Sequence, residues 1–166
     1  MGAILEFPLE EAMKKSDRIE AFVENLGAAG EGALDRHYLA YFQCFNDQLY
    51  YEAHDVLEHL WLQEKAVNTP SATFYKGLIQ LAGAFVHLKK QYLRPDHPTD
   101  GRRLRPAARL FQLARGNLAA YRPEYLSLDV SGVLRFCDGQ IDLIEAAHFA
   151  VNPWSPESAP ALRLQG

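Results

Sequence analysis

Between Ile19 and Ala147 the apolar residues recur at helical spacing, and nowhere do they alternate over the run that a half-buried strand needs. The pattern breaks at residues 27–32, 46–47, 66–71, 94–101 and 121–125, each of which contains glycine, proline, asparagine or aspartate. A chain built this way can bury its apolar stripes only by laying helix on helix. Short connections make consecutive helices antiparallel neighbours. The expected fold is therefore all-α, a single-domain antiparallel helical bundle of about five to six helices. A length of 166 residues suits one core, and a composition of 48% apolar and 23% charged residues excludes global disorder.

Residues 1–32 read as an N-terminal helix and a glycine-rich linker, 33–151 as the bundle, and 152–166 as an extended proline-rich tail. Pro8 is suited to open the first helix, and Ser16 offers a second start. The linker lacks the Gly-Lys-Ser/Thr ending of a phosphate loop. The second helix is expected over about 33–47, where Asn46-Asp47 favours a break. The third is expected over about 50–65. The fourth begins near Ser71 or Ala72 and runs to about Tyr92. Leu104 to Leu118 form the inward face of a fifth, and Asp129 can cap the last.

A net charge of −4 with a pI near 5.8 lacks the basic surplus of a nucleic-acid binder. Cys44 and Cys137 sit in apolar helical settings and read as reduced core thiols, which suits the cytoplasm. The N-terminus shows no signal-peptide pattern, and the most apolar run, 77–88, is too short to span a bilayer. Tyr38, Tyr41, Phe42 and Phe45 read as core or as the interface of a homo-oligomer. No basic residues interleave them, so they are not a base-stacking platform.

Chemistry concentrates in the third helix. At about 3.6 residues per turn, Ala53, Leu57, Leu60 and Trp61 form its core side. His54 and Glu58 fall on the Trp61 flank, and Glu52, Asp55 and His59 on the other. On the fourth helix Lys76, Gln80, Gly83 and His87 make one stripe at i, i+4, i+7 and i+11. Small residues beside it, Gly77 and Ala84, admit a close neighbour. Antiparallel packing of helices three and four then yields a half-buried polar seam of His54, Glu58, Lys76, Gln80 and His87, with Glu52 near its mouth.

The run Phe45-Asn46, Tyr50-Tyr51, Glu52-Ala53-His54, Leu57-Glu58 and Trp61, followed by Phe74-Tyr75-Lys76-Gly77-Leu78-Ile79-Gln80, resembles the domain-of-unknown-function 309 family over about residues 34–149. The family's usual acid after the histidine is glutamate; here it is Asp55. The resemblance implies a small all-helical bacterial or archaeal protein and no particular activity. It carries over to Glu52, His54, Glu58, Trp61, Lys76 and Gln80, whereas His59 and His87 enter from the helical wheel.

Several readings compete. In the leading one the protein binds or interacts, and its seam holds water, an ion or a small ligand. In the second, His54, Glu58 and His87 hold a divalent metal in a hydrolase or related enzyme, although His-Glu-x-x-His is missing and Glu-x-x-His occurs once, at Glu145–His148. Level with the metal stands a small-molecule or acid–base site without one, in which His54 beside Glu58 and Lys76 moves protons, although no nucleophile has a base at convincing spacing. In the third, Glu58–Lys76 is an ion pair, His54–Gln80 a hydrogen-bonded pair and Trp61 a core anchor. Arg102, Arg103, Arg105 and Arg109 read as a solvated face before an acidic-partner contact. His37 and His148 read as helix-surface residues, and His97 as solvated.

Overall fold

A computed structural model describes the backbone of residues 8–26 and 34–166, with side chains from residue 15 onward within those ranges. Six α-helices occur among the described residues: α1 (Pro8–Asn25), α2 (Arg36–Asn46), α3 (Tyr50–Ala66), α4 (Ala72–Leu93), α5 (Leu104–Leu118) and α6 (Val130–Ala146). The expected bundle is the observed fold. The glycine-rich linker at 27–32 lies outside the described residues.

The helix ends follow local chemistry. Asp35 caps α2, its carboxylate accepting from the His37 backbone N–H at 2.7 Å. Asp129 caps α6 in the same way, through the Gly132 N–H at 2.9 Å. The chain turns between α2 and α3 through Gln48 in the left-handed region, φ 62°. Asn46 marks that break, but its amide is spent on the far end of the chain. Its side chain donates to the Leu162 carbonyl at 2.8 Å and accepts from the Leu162 N–H at 2.7 Å.

One detail departs from the all-helical expectation. After a 3₁₀ turn at Ala119–Tyr121, Glu124–Tyr125 pairs antiparallel with Leu128–Asp129. Leu126 and Ser127 both have positive φ, 45° and 65°, as a two-residue hairpin turn of the type I′ class requires. Two residues per strand are too few to show alternation in a sequence.

The core is aromatic where α2, α3 and α4 meet. Phe45, Tyr50 and Phe85 lie with centroids 5.1–5.2 Å apart, and burying each such ring contributes roughly 1.5–3 kcal/mol. The Tyr41 hydroxyl donates to the Leu78 carbonyl at 2.6 Å. Tyr38, Tyr41, Phe42 and Phe45 are all buried in this core, which settles their role in favour of core. The tail has no helix, yet it docks: Trp154 is buried, and its indole N–H donates to the Tyr50 hydroxyl at 3.0 Å.

The stripe on α4 meets α5. A Cβ on Gly77 would lie 2.7 Å from Leu118 Cγ, and one on Gly83 3.2 Å from Leu110 Cδ1. The glycines thus serve the α4–α5 contact, where even one methyl forces the helices to give way.

Candidate functional site

The seam expected between α3 and α4 is corrected by this geometry. Gln80 turns to α5, where its Oε1 accepts from the Asn117 amide at 2.7 Å, so the His54–Gln80 pair is not made. His87 also turns to that side and accepts from the Arg103 guanidinium at 3.1 Å through Nδ1. Burial first, then Arg103 and Lys90, hold its pKa below the ordinary value. Lys76 is exposed, and no Glu58–Lys76 ion pair forms among the described residues. The physical reason is that α4 packs along two helices, and it is α5 that fits against Gly77 and Gly83 on this side of α4.

His54 keeps to its own helix. Its Nδ1 lies 3.1 Å from Asp55 Oδ1 and its Nε2 3.7 Å from Glu58 Oε2. Tyr51 stacks beside it with centroids 6.3 Å apart. His54, Glu58 and His87 do not converge, so the metal set read from the sequence is not assembled. Trp61 is half-buried, with the Lys65 ammonium 4.9 Å above its ring.

Glu52 lies between the start of α3 and the end of α4. There Leu49, Tyr51, Glu52, Val86, Lys90 and Leu93 surround a surface cleft of about 340 Å³. Tyr51 and Leu93 are 60% and 63% exposed, which leaves apolar surface in the cleft open to a ligand. Lys89 is anchored by donating to the Gln48 carbonyl at 2.9 Å.

A second group forms around two histidines, one of which, His37, reads from the sequence as a helix-surface residue. His37 of α2 is buried, not on the surface, and its side chain is 8% exposed. Its Nε2 lies 3.0 Å from Glu20 Oε1 of α1, and His59 Nε2 of α3 lies 3.1 Å from the same oxygen. The two imidazole rings stack at 5.0 Å. Asp35 Oδ1 sits 3.2 Å from His37 Nδ1. That hydrogen bond holds the Asp35 carboxyl below its ordinary pKa despite the opposing effect of burial. The one signal in the sequence is Asp35-Arg36-His37 at a helix start, which reads first as a cap.

The other polar residues have structural work. Asp100 pairs with Arg103 and, at 2.8 Å, with Arg94, so the arginine cluster is not uniformly solvated. Arg102, Arg105 and Arg109 are exposed, and Arg105 lies 4.2 Å over the Phe149 ring. His97 organises its loop, accepting from the Thr99 and Asp100 N–H groups at 3.1 and 3.0 Å. Cys44 and Cys137 are buried and free, and burial pushes both thiols up to about 12.

These features define a small helical bundle whose polar chemistry is gathered on and around α3. Residues 38–95, from early α2 to just past α4, match the model of the family described as Domain of unknown function (DUF309). It is the family that the motifs of α3 and α4 resemble. No curated protein and no solved structure matches the chain. No helix among the described residues is long and apolar enough to cross a membrane.

Proposed function

We propose that the protein is a binding protein whose ligand occupies the cleft between the start of α3 and the end of α4. The observation that carries this reading is where the cleft lies: all its lining residues, Leu49 to Leu93, fall inside the segment that matches the family. Its size, about 340 Å³, is that of a small-molecule site. The lining combines an exposed tyrosine and leucines with two lysines and one glutamate. That chemistry suits a small amphipathic anion, its apolar body against Tyr51 and Leu93 and its acid toward Lys89 and Lys90. Buried free thiols support a reducing compartment such as the cytoplasm.

The test is titration with 1-anilinonaphthalene-8-sulfonate, an amphipathic anion whose fluorescence reports binding. Saturable binding is expected, weakened by about tenfold in Tyr51→Ser and in Lys90→Gln, equivalent to about 1.4 kcal/mol each. Both side chains are exposed, so neither change touches the core. Equal affinity in both variants and the parent would sink this assignment.

A further inference from the structure

His37 is the one buried polar residue of the core among the described residues, and its Nε2 has no hydrogen-bond partner. The 3.0 Å approach to Glu20 Oε1 lacks hydrogen-bond geometry. A buried polar atom left this way needs an explanation. Around it, Glu20, His37 and His59 each offer one ligand atom, and these atoms lie within 4.8 Å of one another. Each comes from a different helix.

We propose that these three residues form a site for a divalent first-row transition metal of the zinc type, which clasps α1 onto α2 and α3. Metal bonds of about 2.0–2.2 Å to imidazole nitrogen and carboxylate oxygen set neighbouring ligand atoms about 3–3.5 Å apart. The two histidine–glutamate separations, 3.0 and 3.1 Å, already meet that spacing. Two imidazoles favour zinc, cobalt or nickel over magnesium and calcium, which take oxygen ligands.

The surroundings support the same assignment. Asp35 holds His37 Nδ1 from behind, the carboxylate–histidine arrangement that fixes a ligand's tautomer and leaves Nε2 for the metal. Arg36 pairs with the other oxygen of Glu20, and lies 3.8 Å from Glu24, so Oε1 alone faces the histidines. Gln63 approaches His59 Nε2 at 3.4 Å, a long contact from an exposed side chain that a metal displaces. None of the three ligands lines the α3–α4 cleft, so this site goes beyond the binding role proposed there.

The experiment uses the untagged full chain, stripped with chelator. Zinc is titrated by calorimetry and cobalt by its visible absorption. One ion per chain is expected, with a rise in melting temperature. Glu20→Gln and His59→Gln each weaken binding by about tenfold or more, and Asp35→Asn by about tenfold, although asparagine still caps α2. His54→Ala binds like the parent. Circular dichroism of the metal-free variants confirms that helix content is kept. The proposal is overturned by absence of stoichiometric binding. It is equally overturned by unchanged affinity in Glu20→Gln and His59→Gln, or by loss in His54→Ala.

Discussion

Two histidines on α3, five residues apart, live in different chemistry. His54 has its acidic neighbours, Asp55 and Glu58, on its own helix, and its side chain is 31% exposed. His59 meets a carboxylate from α1 and a second imidazole from α2, and is 16% exposed. The first group is dense in sequence and loose in space. The second is scattered in sequence and tight in space. A single helix spreads its side chains over a curved surface, and water competes for each of them. Three helices can hold ligand atoms against one another because core packing fixes their spacing.

The comparison can be broken, starting with the largest effect. His37→Ala in metal-free protein removes a buried imidazole and its hydrogen bond to Asp35, for an expected loss of about 1–3 kcal/mol in urea unfolding. The contrast collapses if His54→Ala costs as much.

A smaller effect, about 1 kcal/mol, is expected for Asp35→Ala, which deletes the α2 cap. It carries a pH signature. The folded state holds the Asp35 carboxyl below its ordinary value, through the His37 hydrogen bond first. Its contribution is therefore present above the unfolded value of 3.8 and is lost as pH falls through the folded one. Because this side chain is 44% exposed, solvent limits the size. Acid titration of stability is shallower in the alanine variant; superposable curves contradict the account.

His87 supplies a third histidine with the opposite use. Burial, Arg103 and Lys90 favour its neutral form in the folded protein. A depressed value means stability present above the unfolded pKa and lost as pH falls below about 6.5. His87→Gln flattens unfolding stability between pH about 7 and about 5; a slope equal to the parent's rejects this role. The smallest effect belongs to the group most visible in the sequence. His54→Ala and Glu58→Gln stay within about 0.5 kcal/mol of the parent, as half-exposed same-helix pairs do.

Much of the architecture was legible residue by residue. The helix starts at Ala72 and Leu104, the Asp129 cap and the inward face of α5 depend on contacts within a few residues, and those read directly from spacing. The motif residues were legible too, but half of their meaning was not. Asn46 reads as a helix break and Tyr50 as an aromatic of the family motif, yet Asn46 holds Leu162 and Tyr50 receives the Trp154 indole. No local pattern announces a partner more than a hundred residues away. The candidate site was least legible of all, since Glu20, His37 and His59 lie on three helices and match no spacing rule.

What the sequence by itself determined is the set of helices, their ends and the face each must bury. Backbone hydrogen bonds and the side-chain period are local, so a few residues suffice to specify them. What only the tertiary structure decided is which neighbour each face meets. The stripe of Lys76, Gln80, Gly83 and His87 is one face of α4 whether α3 or α5 covers it, and packing chose α5 through Leu110, Asn117 and Leu118. Tertiary packing likewise formed the cleft at the α3–α4 ends and set α1 against α2 and α3, because close packing rewards shape over the whole interface and no single residue encodes that shape.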